Sequence, residues 1–387
     1  LGAEALPSVS IVVPARNEEA NIGPCLDALR SLDYPDVEVL VVDDRSGDGT
    51  AEVVDGFARR HPNEVSLIRG EALPPGWFGK PWACWQGAAV AKGDLLLFTD
   101  ADTVHEPDLL RQVVTDMLKE GADVYTLLGQ QVMVTFWEQL IQPQFFLLLA
   151  ARYPRVGTPK KPHQWRHAIA NGQYLLFTRE AYQESGGHSA VSGEVAEDLR
   201  LAQLLVRGGW TLGIRKTEGL RTRMYRSLSG LVEGWSKNVT TGALQTTASW
   251  LLPFILPLSL VTGLLLWILP PLALVWALLQ GGRGLALQWS LLSVGFSLSA
   301  WVQISVRMRG NPMFGFLYPL GAAIGLYIFL KSWWRGTRVT WKGRDYEMSR
   351  QTGAPRRESP PTKAPLAEAP TTEAPTVQKP PSVSDSE

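Results

Sequence analysis

Short apolar runs alternate with helical segments through the first hundred residues of the chain. Four runs rich in Val, Ile and Leu are typical of buried strands: residues 9–13, 37–42, 65–68 and 95–98. The segments between them predict helices over residues 17–32, 51–60 and 81–91. Because strands that alternate with helices form sheets covered on both faces, this pattern predicts an α/β fold with a doubly wound, parallel sheet.

Polar residues follow three of these strands at the points where the strands end. The three segments are Pro14-Ala15-Arg16-Asn17, Asp43-Asp44 and Asp100-Ala101-Asp102. In doubly wound sheets, ligands bind at the carboxyl ends of the strands. Scattered surface acids would have no reason to coincide there, so the three segments are predicted to line one binding site.

Asp100 and Asp102 are the most informative of these residues. They follow the buried run 95–98 and lie two positions apart, so an extended backbone points both carboxylates the same way. Two like charges repel each other unless a cation lies between them, and hard divalent ions take oxygen ligands together with a substrate's phosphates. The pair therefore predicts a Mg²⁺ or Mn²⁺ site that holds a diphosphate. The alternative is two solvated aspartates in a turn.

Charge and cysteine content exclude other classes of protein. The 387 residues carry 37 basic and 37 acidic side chains, and this balance gives no indication of nucleic-acid binding. Cys25 and Cys84 lie far apart without metal-ligand spacing, which predicts two reduced thiols in a cytosolic domain. His163 and His167 lie four apart, but Pro162 argues against a helical metal site there.

Residues 249–332 are mostly apolar and predict membrane-spanning helices. The stretches 250–279, 285–306 and 313–330 carry no charge, and each is near the roughly twenty residues that cross a bilayer. A Pro-Pro pair interrupts the first stretch, so three or four segments are predicted; buried core helices are the alternative. Basic residues after the last stretch favour a cytosolic end, which requires an even number of crossings from a cytosolic domain. Three plain spans give the opposite result, so the topology stays open.

Composition therefore divides the chain into four regions. They are an α/β domain at 1–246, transmembrane helices at 247–335, a basic juxtamembrane segment at 336–352 and a disordered Pro-rich tail at 353–387. Residues 136–166 join an apolar stretch to a basic one. This pattern fits a helix lying in the headgroup layer, or an ordinary core helix followed by a basic loop.

Four motifs, in this order, resemble those of family 2 glycosyltransferases: residues 10–19, 41–46, 100–102 and 197–198. The resemblance implies the GT-A (Rossmann-like) fold for the catalytic domain, with a doubly wound mixed sheet. Two further segments resemble enzymes that glycosylate lipids. Residues 223–238 look like carotenoid- and hopanoid-associated glycosyltransferases, and residues 341–346 are similar to the end of ceramide glucosyltransferases.

The resemblance places the donor at the strand ends. The implied nucleotide-sugar-binding residues are Pro14, Ala15, Asn17, Glu18, Asp43, Asp44, Lys80, Asp100 and Ala101, and the implied metal ligands are Asp100 and Asp102. A loop that enters a helix offers free N–H groups to an anion, and a lysine offsets phosphate charge. Asp43 or Asp44 would accept the uracil N3–H, which implies a UDP-sugar. The alternatives are helix capping for this pair and a solvated side chain for Lys80.

The resemblance also makes Asp198 the general base, tuned by its neighbour Glu197. By position alone, both acids fit the first turn of a helix, where the helix dipole favours them without any catalysis. Acceptor or phosphate contacts are implied for His188, Arg223, Arg226 and Trp235. The family's Arg-Trp pattern is incomplete here, which leaves Trp235 as a stacking platform and Arg223 or Arg226 as a source of positive charge.

Together these features predict an inverting, metal-dependent enzyme that moves a sugar from a UDP-sugar to a membrane lipid. No second carboxylate nucleophile is indicated, which favours a single displacement assisted by a base. Expected partners are the donor, a lipid acceptor and the membrane. A multi-pass protein of the inner membrane is expected, with its catalytic domain in the cytosol, where nucleotide sugars occur. The alternatives are a polyprenyl-phosphate glycosyltransferase, a polysaccharide synthase and a membrane scaffold with an inactive transferase fold.

Overall fold

The computed structural model describes residues 6–153, 161–246, 251–281, 283–335, 338–342 and 344–347. The chain forms two compact units. Over the described positions, the first unit draws on residues 1–129, 157–220 and 340–387, and the second on residues 130–156 and 221–339. The predicted disordered tail at 353–387 lies outside the described residues.

The first unit contains one eight-stranded sheet. Its strands are β1 (Val9–Ala15), β2 (Val37–Asp43), β3 (Val65–Arg69), β4 (Leu95–Phe98), β5 (Thr103–His105), β6 (Val124–Gln131), β7 (Leu175–Thr178) and β8 (Leu212–Thr222). The order across the sheet is β3-β2-β1-β4-β7-β6-β8-β5. Strands β1 to β4 are parallel, as the alternation predicted, and β7 runs antiparallel to both β4 and β6. The predicted α/β class with a doubly wound mixed sheet is therefore confirmed.

The described part of the chain contains twelve α-helices, and those of the first unit cover both faces of this sheet. In the described chain the α-helices are α1 (Glu19–Arg30), α2 (Thr50–Arg60), α3 (Gly79–Val90), α4 (Leu109–Glu120), α5 (Phe136–Arg152), α6 (Arg179–Glu184), α7 (Glu197–Gly208), α8 (Leu228–Thr246), α9 (Leu252–Gly263), α10 (Leu269–Leu279), α11 (Leu285–Arg307) and α12 (Tyr318–Arg335). Helices α1, α2 and α4 contribute to one core cluster, and α3, α6 and α7 to another. The sheet lies between the two clusters.

The side chains of β1 explain this two-sided packing. Ile11 and Val13 belong to one cluster and Val12 to the other, and all three are fully buried. A strand covered on both faces shows an unbroken apolar run. Burial of each such side chain contributes about 2 kcal/mol of stability. Helix α3 approaches β1 so closely that a Cβ on Gly87 would lie 2.4 Å from a methyl carbon of Val12.

Strand register brings the polar strand ends together. Ala15 at the end of β1 lies beside Asp43 at the end of β2, and Val12 lies beside Phe98 at the end of β4. Asp100 follows Phe98 by two positions. Because these strands are parallel, the three loops that follow them begin at the same edge of the sheet.

The second unit is helical. Its core cluster includes Ile141 and Phe145 of α5, Leu231 and Trp235 of α8, and Ile328 of α12. Most residues of α5 from Glu138 to Phe145 are buried, whereas Phe136 at its start and Leu148 and Leu149 near its end are 40–43% exposed. Within the described part of 136–166, the apolar stretch is thus a helix with a buried middle and exposed ends.

Among the described residues, three helical stretches of the second unit are long and apolar enough to cross a membrane. They are Pro257–Leu279, Leu285–Arg307 and Pro312–Arg335. The first runs from α9 to α10 through a π-helical turn, Leu264–Ile268. Large apolar side chains on these helices are exposed, including Leu272 and Phe296 at 61% and 77%. Exposed apolar surface of this kind indicates association with a membrane.

A short hairpin follows the last apolar helix. Its strands are β9 (Arg338–Trp341) and β10 (Arg344–Glu347), which are hydrogen-bonded neighbours. Lys342, in the turn between them, and the whole of β10 belong to the first unit.

Candidate active site

The loop after β1 is held by hydrogen bonds to the loop after β2. The Asn17 side-chain carbonyl accepts the N–H of Gly47 at 2.9 Å, and the Asn17 N–H donates to Ser46 Oγ at 3.0 Å. The N–H of Glu18 donates to Thr50 Oγ1 at 2.8 Å. Asn17 has a positive φ of 52°, a conformation that asparagine tolerates better than most residues. The Asn17 side chain therefore orders the two loops against each other.

Asp43 and Asp44 are both buried at this edge. Oδ1 of Asp43 accepts the N–H of Ser46 at 3.3 Å, while burial raises the pKa of Asp44 in spite of its pairing with Arg344. Neither acid caps helix α2, because Asp48 Oδ1 accepts the N–H of Thr50 at 3.1 Å. Helix capping therefore does not account for the buried pair.

Lys80, at the start of α3, joins two of the predicted acidic motifs. Its Nζ lies 2.7 Å from Oδ1 of Asp100 and 2.8 Å from Oε1 of Glu197. Burial opposes the charge of Lys80, but Asp100, Glu197 and Asp198 together outweigh burial and raise its pKa well above the ordinary value. Lys80 is thus a permanent positive charge between the strand-end aspartates and the acids of α7.

Asp102 has one buried carboxylate oxygen, Oδ1, without a hydrogen-bond partner. Burial, together with the charges of Asp100 and Glu18, raises the pKa of Asp102 to about 8. Such an unsatisfied oxygen costs free energy, and a bound cation would satisfy it. However, the described residues contain no group of three or more His, Cys, Asp and Glu side chains arranged to hold a metal ion. A divalent ion would therefore need oxygens of a bound ligand to complete its coordination by the two aspartates.

Asp198 is fixed by the backbone on both of its oxygens. Oδ2 accepts the N–H of Gly172 at 2.8 Å, and Oδ1 accepts the N–H of Leu199 at 2.7 Å. Burial and the charge of Glu197 raise the pKa of Asp198 to about 6. The carboxylate is therefore oriented, ionised at neutral pH and basic enough to accept a proton. The motifs did not reveal Gly172, whose only signal in the sequence is that it is a glycine.

A small cavity connects these groups. Among the residues that line it are Pro14, Lys80, Gly172, His188, Glu197 and Asp198. The His188 side chain is 2% exposed, and its Nδ1 lies 3.0 Å from the hydroxyl of Tyr182. Burial, and then the charge of Lys80, lowers the pKa of His188 to about 3, so this imidazole is neutral. His188 thus forms part of the cavity wall without carrying charge.

The other predicted site residues occupy different settings. Ala15 and Ala101 are buried in the core of the first unit, which leaves only their backbone groups to face a ligand. Arg223, Arg226 and Trp235 belong to the second unit. There, Arg223 pairs with Glu138 at 3.0 Å, Trp235 stacks on Phe145 at a ring distance of 4.4 Å, and Arg226 is exposed. Contacts of these three residues with acceptor or phosphate stay a prediction.

Fold and site together define a class of enzyme. A mixed, doubly wound sheet with two aspartates after its fourth strand and a fixed carboxylate at the start of a helix is typical of glycosyltransferases with the GT-A fold. Residues 10–184 match the family model described as glycosyl transferase family 2. Residues 10–184 thus carry a glycosyl transferase family 2 domain, and the resemblance and the enzyme class predicted from the motifs, a glycosyltransferase, are confirmed.

Known proteins resemble the chain over most of its length. The 4,4'-diaponeurosporenoate glycosyltransferase of Staphylococcus aureus strain USA300 is 27% identical over 363 residues, which cover 89% of each chain. The enzyme of the same name from strain MRSA252 is 26% identical over 367 residues, again 89% of each chain. The mannosyltransferase PcManGT from Pyrobaculum calidifontis, solved with GDP-Man and Mn²⁺, is 21% identical with a TM-score of 0.51, and covers 83% of this chain and 87% of that one. The structural likeness confirms the fold.

Proposed function

We propose that this glycosyltransferase moves a sugar from a UDP-sugar to a hydroxyl or carboxyl group of a membrane lipid, with inversion at the anomeric carbon and with Mg²⁺ or Mn²⁺. The observation that carries the proposal is the position of Lys80, whose Nζ contacts Asp100 at 2.7 Å and Glu197 at 2.8 Å. Lys80 therefore joins Asp100, which belongs to the proposed donor site, to Glu197, the neighbour of the candidate base Asp198. Direct transfer between two bound substrates needs such proximity.

The nucleotide would bind the loops after β1 and β2. Of the two buried acids there, Asp43 already accepts the N–H of Ser46. Asp44 accepts from Arg344 on both of its oxygens, which fixes its orientation, and we take Asp44 as the acceptor of the uracil N3–H. PcManGT was solved with GDP-Man, so the preference for UDP in this chain rests on the acid pair rather than on that structure.

Asp100 and Asp102 would hold the divalent ion. The unpartnered buried oxygen of Asp102 supports this assignment, and so does the Mn²⁺ in PcManGT. When bound, the ion would neutralise the diphosphate and stabilise UDP as the leaving group. Lys80 adds a second positive charge beside Asp100, at the side of the site nearest to Asp198.

Asp198 would act as the base for a hydroxyl acceptor. As the acceptor oxygen bonds to the anomeric carbon, the bond from that carbon to the UDP oxygen breaks and the hydroxyl proton passes to the Asp198 carboxylate. One displacement inverts the anomeric centre. A carboxyl acceptor is already ionised at neutral pH and would not need this proton transfer.

The acceptor would reach the site from the membrane. Three long apolar helices in the described part of the chain support membrane association and a lipid substrate. The proposed location is the inner membrane, as a multi-pass protein with its catalytic domain in the cytosol. The relative named for 4,4'-diaponeurosporenoate, a carboxylate by its name, supports an acceptor that carries a carboxyl group. No feature of the described residues favours polyprenyl-phosphate transfer or polysaccharide synthesis over this reaction.

A transfer assay with the full chain tests the proposal. The chain is expressed in bacterial membranes, supplied with labelled UDP-sugars and Mn²⁺, and the lipid extract is examined by mass spectrometry. We expect a new glycolipid that chelation by EDTA abolishes. Absence of any labelled lipid with every UDP-sugar, in membranes that contain the folded chain, would contradict the proposal and favour the inactive scaffold.

The Asp198→Asn variant identifies the acceptor group in the same assay. Transfer to a hydroxyl should fall strongly, by about 10²–10⁴-fold, because the base is lost. Transfer to a carboxylate or to a polyprenyl phosphate should be nearly unchanged. Analysis of the glycolipid's bond, as an acetal (O-glycoside), an ester or a phosphodiester, provides an independent answer.

A further inference from the structure

The hairpin that follows the last apolar helix contacts the loops after β1 and β2, which are called the donor loops below. Lys342 Nζ forms an ion pair with Oε1 of Glu18. The Arg344 guanidinium binds both carboxylate oxygens of Asp44, at 2.5 and 3.1 Å. The paired residues are 324 and 300 positions apart in sequence. Two basic residues that follow the last apolar helix therefore contact two acids that are predicted to bind the nucleotide.

The Arg16 side chain binds the backbone of the same hairpin. Its Nε donates to the carbonyl of Lys342 at 3.2 Å, while its Nη1 donates to the carbonyls of Asp44 at 2.6 Å and Arg45 at 2.8 Å. The hairpin turn is thus attached to the loops after both β1 and β2. Loss of one side-chain pair would leave the other contacts in place.

Backbone strain concentrates at this meeting point. In the described part of the chain, four residues other than glycine have a positive φ: Asn17, Arg45, Lys342 and Arg309. The first three lie in the two donor loops and in the hairpin turn, whereas Arg309 belongs to the second unit. Such conformations cost about 1–3 kcal/mol each and persist mostly at functional sites. The turn at Lys342 therefore has the character of a binding loop.

The hairpin supplies positive charge to an acidic part of the candidate site. Glu18, Asp44, Asp100 and Asp102 all border the site where the donor would bind, and four carboxylates alone would repel a diphosphate. The ion pairs of Lys342 with Glu18 and of Arg344 with Asp44 reduce this negative charge.

We propose that Lys342 and Arg344 belong to the donor site. Lys342, paired with Glu18, supplies positive charge to the diphosphate, and Arg344 is a positioning residue that orients the Asp44 carboxylate for the nucleotide base. A carboxylate has about four acceptor positions, so Asp44 can accept the uracil N3–H while it is bound to Arg344. This inference rests on the proposed function, since it takes UDP as the nucleotide.

Binding of UDP to the full chain in detergent tests the inference. Calorimetry with UDP and Mn²⁺ is applied to the wild type, Lys342→Gln and Arg344→Gln. Each variant should bind UDP about tenfold more weakly, because a charge-assisted contact is lost. Lys342→Arg should recover most of the affinity, whereas Arg344→Lys should recover less, since lysine cannot form the two-pronged contact.

Matched controls replace basic residues outside the site. Arg111 makes the same two-pronged contact with Asp33, at 3.1 and 3.2 Å, on the exposed surface. Arg111→Gln is therefore the control for Arg344→Gln, and exposed Lys119→Gln is the control for Lys342→Gln. Both controls should bind UDP like the wild type.

The outcomes separate the inference from the proposed function. If the wild type binds UDP and both hairpin variants bind it equally well, the inference is wrong and the proposed function stands. Tighter binding in the variants also overturns the inference and identifies the hairpin as a competitor for the site. A wild type that binds no UDP overturns the proposed donor, and the inference with it. If Arg344→Gln unfolds at a lower temperature, the Lys342 variants and Arg344→Lys decide the result.

Discussion

The N–H of Gly172 lies 2.8 Å from Oδ2 of Asp198 and donates a hydrogen bond to it. The same glycine adjoins Lys80, because a Cβ at this position would lie 2.7 Å from Lys80 Nζ. The same Cβ would lie 3.3 Å from carboxylate oxygens of both Asp198 and Glu197. One backbone position thus orients the candidate base and leaves the room that the lysine occupies.

Gly172→Ala should therefore disable the enzyme without unfolding it. The new methyl group displaces Lys80 or Asp198, and a displacement of about 1 Å at reacting groups can lower turnover a hundredfold. The measurement is the sugar-transfer rate together with the temperature of unfolding. Gly56→Ala in α2 is the control, since its Cβ would meet nothing within 4 Å and activity should be unchanged. Wild-type turnover in Gly172→Ala would show that this packing has no catalytic role.

The pH dependence of transfer should reflect Asp198 when the acceptor is a hydroxyl. Burial and the charge of Glu197 raise the pKa of Asp198 to about 6. Only the ionised form accepts a proton, so the rate should rise with pH through about 6 and then level off. Initial rates at saturating substrate between pH 4.5 and 8.5 provide the measurement.

The variant Glu197→Gln should shift this pH dependence in a defined direction. Removing the negative charge of Glu197 makes ionisation of Asp198 easier, so the rising limb should move to lower pH. A rising limb that stays in place, or one that persists in Asp198→Asn, would assign the pH dependence to another group.

Asp102→Asn should abolish transfer and leave the protein at least as stable as the wild type. The wild-type carboxylate is buried with one unsatisfied oxygen and is repelled by Asp100 and Glu18. Replacing such a group with a neutral amide should change the free energy of unfolding by about 1 kcal/mol at most, in the stabilising direction. Denaturant unfolding and transfer with Mn²⁺ are measured in parallel. Asp27→Asn, at an exposed position, is the control and should retain activity. Transfer by Asp102→Asn at the wild-type rate would rule out a metal ligand at this position.

Much of the first unit could be predicted because its signals are local. The strands predicted at 9–13 and 95–98 correspond to Val9–Ala15 and Leu95–Phe98, since a strand buried on both faces leaves an unbroken apolar run. Parallel pairing then places Asp43 and Asp100 at one edge of the sheet. The acids of the site could thus be grouped from strand ends alone.

The basic and neutral partners of those acids could not be predicted in the same way. Contact between Arg344 and Asp44 depends on how the chain folds back over 300 positions, and nothing local to either residue encodes it. Gly172 matters through the space that it leaves for Lys80, which has no pattern in the sequence. The family motif suggested a ligand contact for Trp235, but the packing of Trp235 on Phe145 is a tertiary contact.

Arg223→Gln tests whether that arginine acts on the donor or on folding. Arg223 pairs with Glu138, whose side chain is fully buried and also accepts the N–H groups of Val134 and Thr135 at the start of α5. Breaking a buried pair costs about 3–5 kcal/mol because it leaves a charge without its partner. We expect a lower unfolding temperature with an unchanged KM for the donor. Part of the loss should return in the double variant with Glu138→Gln. A raised KM for UDP-sugar in a chain of normal stability would instead support contact with the phosphate.

The pair between Lys342 and Glu18 also constrains membrane topology. Both residues belong to the first unit, although the apolar helices lie between them in sequence. A folded polar unit lies on one side of a membrane, so the intervening chain should cross an even number of times. The three long apolar helices would then not all be complete crossings, unless a further segment crosses as well.

Thiol labelling decides this question. Burial raises the pKa of Cys25 to about 12 and that of Cys84 above its usual range, so neither native thiol should react with an impermeant maleimide. Single cysteines are introduced as Asp27→Cys in the catalytic domain and Ser382→Cys near the end of the chain. Both should be labelled in inverted vesicles and neither in intact cells. If the two positions label from opposite sides, the number of crossings is odd and the hairpin does not reach Glu18 in the membrane-embedded protein, because no charged hairpin could pair through the bilayer.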